Sequence, residues 1–305
     1  MFVLIFHQLL KMLIILLVGI FCCRIRLVSS EGSRTISNLL LLIVNPCLII
    51  TVYQTDYDPA LVTGLLVSFA AAFASHFLAI LTARLLIRRD SSPEFSLERY
   101  AVVYSNCGFI GIPLIGSVLG SEGVFYLTAY MAVFNILTWT HGLSLMKGSF
   151  ELRHLKEGLT SPMVVATLIA MALFFARIRL PETVFDSMDY LAGMNTPLAM
   201  MVAGFSVAHS NLKKICTNVR LYYVAALKLL VVPLIALVIL HFLPLDTTVA
   251  YTTLIATACP TATTITMMCI RFGRDHAYAS EMFSFTTVLS ILTIPVVMFA
   301  ASFLL

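Results

Sequence analysis

The sequence passes from one apolar stretch to the next with only short polar breaks, and this succession restricts the fold more than any single motif does. Inside a bilayer no water is available to pair backbone N–H and C=O groups, so a spanning chain forms either helices or a closed barrel. The stretches here run to about 20 residues, the length of a helix across a ~30 Å hydrocarbon core and twice that of a barrel strand. With 60% apolar and 11% charged residues among 305, the composition is that of an all-α polytopic membrane protein. A chain of this length holds about ten crossings with short loops and no sizeable soluble domain.

The ten segments are predicted at residues 2–25, 36–53, 59–87, 99–119, 123–146, 159–176, 184–208, 221–242, 247–270 and 277–305. A polar linker at 148–158 separates a first half, 1–147, from a second, 159–305, with five segments in each. The first run carries Lys11 and is followed by Cys22-Cys23-Arg24 rather than a small-residue cleavage site, so it reads as a span and not as a signal peptide.

Of the 19 Lys and Arg residues, 15 fall in alternate loops, in groups around Arg24, Arg88, Arg153, Lys213 and Arg271. The opposite loops hold only Arg177 and Arg179, while Lys11 and Lys228 lie inside segments. The positive-inside rule then places both termini outside and the central linker in the cytoplasm, with the chain in the cytoplasmic (plasma) membrane. The net charge of +4 is an orientation signal and gives no reason to expect nucleic acid as a partner. Seven cysteines show neither CxxC pairs nor histidine-spaced metal patterns, and most sit in apolar runs where a thiol packs as a small hydrophobe. No metal, cofactor or disulfide is expected.

Two segments carry the marks of interruption. In the fourth, Tyr104-Ser105-Asn106-Cys107-Gly108-Phe109-Ile110-Gly111-Ile112-Pro113 brings a proline, two glycines and an amide into an apolar run. Pro113 has no N–H and crowds the carbonyl of Phe109, so the helix is predicted to open there. It lies 14 residues beyond Arg99, or roughly 21 Å of helix, well inside the membrane. In the ninth, Thr257-Ala258-Cys259-Pro260-Thr261-Ala262-Thr263-Thr264 answers it. The second and seventh segments also match, through Asn45-Pro46 and Asn195-Thr196-Pro197. Pro46 and Pro113 are 67 residues apart, and Pro197 and Pro260 are 63 apart. Five segments per half is an odd number, so the second half enters from the opposite side. Such an inverted repeat with broken segments in equivalent places points to a carrier with a midplane site.

Three motifs fall in order along the chain: Ser-Asn-Cys-Gly-Phe-Ile-Gly-Ile-Pro-Leu (105–114), Val-Phe-Asn-Ile-Leu-Thr-Trp-Thr-His-Gly (133–142) and Thr-Thr-Val-Leu-Ser-Ile-Leu-Thr-Ile-Pro (286–295). Together they resemble the auxin efflux carrier family, whose bacterial members include malate and malonate permeases. The resemblance implies a fold like that of the sodium/proton antiporters and bile-acid carriers. In that fold segments four and nine cross at their prolines, and a transport domain (segments three to five and eight to ten) moves against a scaffold of segments one, two, six and seven. Asn106 and Pro113 match the family's segment-four asparagine and proline, and Pro260 its segment-nine proline. Segment six begins Ser161-Pro162 where the family often has Asn-Pro, so no asparagine is carried over there.

Two half-helix starts facing one midplane spot would present unpaired N–H groups and positive dipole ends, which is an anion cradle. The predicted binding residues are Asn106, Gly111, Pro113, Pro260, Thr261, Thr263 and Thr264, with Asn45, Asn195 and Pro197 on the opposite wall. The alternatives are simple kinks at the prolines, threonines bonded to their own helix, and asparagines that only join helices. Asn135 and His141 read as packing residues, and Lys228, eight residues beyond Arg220, as a side chain that snorkels to the cytoplasm, with a buried counter-charge as the alternative. Segments three, four, five, eight and nine have no central Asp or Glu, which counts against a cation-coupled exchanger. The chain has neither HExxH nor GxSxG, and its two SxxK matches lack the motifs that chemistry needs, so it is not read as an enzyme. The expected function is a secondary carrier for a small organic anion, an indole acid or a mono- or dicarboxylate. A cation-coupled carrier of the same fold and a passive anion channel stand as alternatives. The expected partners are that anion and the lipid bilayer, with a homodimer as an option.

Overall fold

The computed structural model describes residues 2–148, 159–210, 215 and 217–305. The central linker therefore lies outside the described residues except for Gly148, as do Lys213, Lys214 and Cys216. The described chain is helical: α1 (Phe2–Arg24), α2 (Ser30–Val52), α3 (Pro59–Leu86), α4 (Phe95–Val103), α5 (Cys107–Lys147), α6 (Pro162–Phe175), α7 (Glu182–Ala208), α8 (Val219–His241), α9 (Thr247–Ala258), α10 (Thr264–Phe272) and α11 (His276–Ala301). Seven of these are long and apolar enough to cross a membrane, α6 is a shorter apolar helix, and α4, α9 and α10 are pieces of interrupted segments. Among the described residues the only extended pairing is one isolated bridge, between Ser105 and Thr261.

The 41-residue α5 is not one crossing. Gly120 inside it has φ 69° and ψ −161°, a conformation that a residue with a Cβ adopts only under strain. The two arms fold back on each other there, since a Cβ on Gly116 would meet Val124 and one on Gly111 would approach Leu127. Leu42, Phe77, Leu168 and Phe21 are exposed, as expected of a surface whose solvent is lipid rather than water.

Close helix contacts come where side chains are smallest. A Cβ on Gly204 of α7 would fall on the carbonyl oxygen of Leu16, and one on Gly19 of α1 would lie 2.6 Å from that of Met201. The two backbones touch, which is how membrane helices gain dispersion energy in the absence of a hydrophobic drive between them. Buried Glu98 of α4 accepts three bonds from the Arg220 guanidinium, at 3.0, 3.1 and 2.7 Å, and a fourth from the Tyr278 hydroxyl at 3.2 Å. That pairing straps α4, α8 and α11 together and satisfies a carboxylate that would be costly to bury alone.

The expected opening at Pro113 is not where the chain breaks. Pro113 is the second residue of the α-helical stretch that follows a wide turn at Cys107–Gly111, and the non-helical residues are 104–106. The widened i→i+5 turn makes room for the proline ring against the preceding carbonyls, so the helix absorbs it. In the other interrupted segment proline does act as predicted. Cys259, just before Pro260, is extended at φ −58°, ψ 148°, the region to which a following proline confines its neighbour.

Candidate functional site

The two breaks meet. Asn106 N–H donates to the Pro260 carbonyl at 2.7 Å, and Ala262 N–H donates to that of Tyr104 at 2.9 Å. Each non-helical strand thus supplies the backbone partners that lipid would deny the other. Side chains extend the pairing. The Ser105 hydroxyl donates to the Thr257 carbonyl at 3.2 Å, and the Thr261 hydroxyl to that of Ala101 at 3.0 Å. Both relations carry the same shift along the chain, because Ser105 and Thr261, like Ala101 and Thr257, are 156 residues apart. Every residue from Val249 to Ala262 is buried, so the crossing lies at the centre of the molecule.

A cavity of about 90 Å³ lies beside the crossing. Its walls are the start of α5 (Asn106, Cys107, Gly108, Phe109), the start of α10 (Ala262, Thr263, Thr264), the second arm of α5 (Met131, Phe134, Asn135), α2 (Leu41, Asn45) and Met163 of α6. Two helix N-termini therefore border one small space, and each contributes the positive end of its dipole. Asn106 caps α5: its Oδ1 accepts from Phe109 N–H at 3.3 Å, while its Nδ2, buried, has no partner. Asn45 accepts at Oδ1 from Asn195 Nδ2 at 2.6 Å, and its own Nδ2 is likewise without a partner. Leaving such donors unpaired in an apolar interior costs about 1–3 kcal/mol each, which a ligand oxygen would recover.

Of the residues predicted to bind, Asn45, Asn106, Thr263 and Thr264 border this cavity. Asn195 stands behind Asn45 and reaches the cavity only through it. Gly111 faces the Cys259 thiol rather than the space, Pro113 is buried one turn further on, and Pro260 serves the crossing through its carbonyl. Pro197 is exposed on the outer surface of α7, so it lines no wall. The threonines divide. The Thr261 hydroxyl is spent on Ala101, Thr264 pairs with the Tyr100 hydroxyl at 2.8 Å, and Thr263 gives α10 no side-chain cap. Asn135, read as a packing residue, lines the cavity while donating to the Met131 carbonyl at 2.8 Å, and His141 pairs with the Tyr104 hydroxyl at 2.9 Å.

Lys228 corrects the sequence reading outright. It does not snorkel: its side chain is fully buried, and Nζ donates to Ser105 Oγ at 2.5 Å. The residue sits in a widened turn, Leu227–Val231, in the middle of α8. Widened turns recur beside the polar residues of this centre, at Leu40–Val44 before Asn45 and at Cys107–Gly111 after Asn106. Such turns are frequent at functional sites because they rotate the following side chains out of the helical register. A sequence carries little trace of them.

Known proteins similar to this chain are transporters. A family model described as membrane transport protein matches residues 4–298. An uncharacterized transporter of Methanothermobacter thermautotrophicus is 26% identical over 296 residues, covering 94% of this chain and 95% of its own. A Rhizobium meliloti protein, provisionally named a malonate transporter, is 25% identical over 233 residues, covering 72% of this chain and 71% of its own.

Proposed function

Because the chain belongs to the auxin efflux carrier family of membrane transport proteins, we propose that it is a secondary carrier moving a small organic anion across the cytoplasmic membrane by alternating access. The observation that carries this reading is the unpartnered Asn106 Nδ2, buried against a cavity that two helix starts share. A carboxylate there accepts from the amide and sits at two positive dipole ends. The cavity, about 90 Å³, is well below the ~300 Å³ at which drug-sized pockets begin. Its size favours a short mono- or dicarboxylate over an indole acid, and the name of the Rhizobium relative points the same way.

The ten-segment reading supplies the motion. With Gly120 dividing α5 and the crossing joining α4 to α5 and α9 to α10, the helices group into ten crossings, in two inverted halves. The shared 156-residue shift at the crossing and the direct Asn45–Asn195 contact support that symmetry. The cavity lies between α2 and α6 on one side and α5 and α10 on the other, a boundary that an elevator-like displacement would open to either face. Positive-inside loops orient both termini outward. With Arg153 replaced by cysteine, an impermeant thiol reagent should label intact cells no more than background and label permeabilised ones; labelling of intact cells would reverse the orientation.

The function is tested in proteoliposomes with malonate, succinate, acetate and indole-3-acetate, each against its neutral amide at fixed pH and membrane potential. Saturable uptake of the short acids and none of the amides is expected. Equal movement of amides, or single-channel conductance in place of saturable uptake, would displace the carrier reading.

A further inference from the structure

The interior holds a buried lysine whose charged and titratable neighbours among the described residues include no carboxylate. Lys228 lies midway along α8 and is fully buried. Its titratable neighbours are the thiols of Cys107 and Cys259 and the ring of His76, none of which holds a fixed negative charge at neutral pH. The buried carboxylate of Glu98 is already held by Arg220. A buried amine keeps its proton only where something of opposite sign offsets its burial; the fold supplies one such source and the proposed carboxylate a second.

The first is permanent. α4 ends at Val103 and α9 at Ala258, so two helix C-termini converge on the crossing with about half a negative charge each. One ammonium group balances both. The second source lies across a single hydroxyl. Ser105 accepts from Lys228 Nζ at 2.5 Å, donates to the Thr257 carbonyl at the end of α9, and itself lines the cavity. The same crossing therefore presents its negative helix ends to Lys228 and its positive helix starts to the cavity.

We propose that Lys228 is the built-in counter-charge of the anion site, standing behind the cavity through Ser105 and occupying the position a coupling cation would otherwise fill. The inference rests on the carboxylate reading given above and adds a source for the site's charge. A cation entering the crossing would have to compete with a tethered ammonium for the carbonyls at the ends of α4 and α9. Lys228 touches no substrate atom; it acts as a positioning residue through the Ser105 hydroxyl. It follows that carboxylate binding requires no sodium and that discrimination of acid from amide depends on residue 228.

The test uses the purified full chain and its thermal stabilisation by malonate and by malonamide, in sodium buffer and in N-methylglucamine buffer. Wild-type protein is expected to bind malonate equally in both and to ignore malonamide. Lys228→Met replaces the buried charge with an apolar chain of similar length and leaves the two helix ends without their balance, so some loss of melting temperature is expected and binding is compared where both proteins elute as folded. Under those conditions the variant should lose malonate affinity at least tenfold, so that the acid and the amide become alike. A merely structural lysine would leave that ratio unchanged. Ser105→Ala, which keeps the charge but cuts the link, should fall between the two. Wild-type malonate affinity in folded Lys228→Met overturns the proposal. So does a tenfold gain on adding sodium to the wild type, a measurement that stands even if the variant fails to fold. If the wild type binds no carboxylate in either buffer, the anion site itself falls and this inference with it, a result distinct from loss of the lysine's role alone.

Discussion

Asn106 closes the first turn of α5 with its side-chain oxygen and keeps its amide nitrogen unpaired against the cavity. Asn106→Ala removes both functions, and Asn106→Asp separates them, since the carboxylate still caps but repels an anion. Both variants should lose carboxylate binding at least tenfold, about 1.4 kcal/mol, whereas the helix cap is lost only in the alanine variant. Titration of malonate against the two, with melting temperatures alongside, checks this; undiminished binding in the aspartate variant would exclude Asn106 as a donor. Pro113 leads to the opposite expectation. Because the chain breaks at 104–106 and the wide turn already accommodates the ring, Pro113→Ala should leave the crossing intact, keep uptake within about threefold and hold or raise stability. Loss of uptake at normal protein level would restore Pro113 to the mechanism. Asn106 was legible in the sequence because an amide in an apolar run must find a partner. Lys228 was not: its spacing from Arg220 fits snorkelling equally well, and only the fold shows which neighbour its side chain meets. Thr261 likewise looked like a ligand donor until the crossing placed the Ala101 carbonyl beside it.

At the scale of elements, the crossing and the α1–α7 contact are built by different means. The crossing exchanges backbone hydrogen bonds between the non-helical residues 104–106 and 259–263, and its position was half legible. Pro260 marks one strand by confining Cys259, while the other opens without a proline of its own. The helical hairpin at Gly120 was legible as a gap between segments, although length and hydropathy alone would fuse Cys107–Lys147 into one span. The α1–α7 contact was illegible, because a glycine in an apolar helix does not announce whose backbone it faces. Gly204→Val puts a branched side chain onto the Leu16 carbonyl, where backbone rather than a flexible chain must yield. Overpacking of this kind costs ~1–3 kcal/mol or more. A lower melting temperature with malonate affinity unchanged at low temperature is expected, since neither Gly204 nor Leu16 borders the cavity; a melting point equal to wild type would show that the helices separate freely.

For the molecule as a whole, the sequence proposes ten segments where helix length alone finds seven among the described residues; the difference corresponds to the fused span Cys107–Lys147, the short helix α6 and the interrupted pair α9 and α10. The bodies that would move against each other were named by resemblance, and the structure supplies a contact at which their motion can be tested. Tyr53 at the end of α2 pairs its hydroxyl with Thr128 Oγ1 of α5 at 2.7 Å, and its ring lies 4.4 Å from that of Phe125. Neither Tyr53 nor Thr128 borders the cavity beside the crossing. If α5 travels with the crossing while α2 stays fixed, this buried pair must separate in every cycle. Cysteines at 53 and 128, joined by a short bifunctional thiol reagent, should therefore arrest malonate uptake, and a cleavable linker should restore it on reduction. Binding in detergent should survive, because the cavity is untouched and only the passage between its two exposures is blocked. Arrest of uptake with binding intact is the outcome specific to relative motion of the two bodies, since a steric effect on the site would weaken both. Uptake that continues at its full rate after quantitative cross-linking would mean that α2 and α5 move together, and the boundary between the bodies would have to be drawn elsewhere.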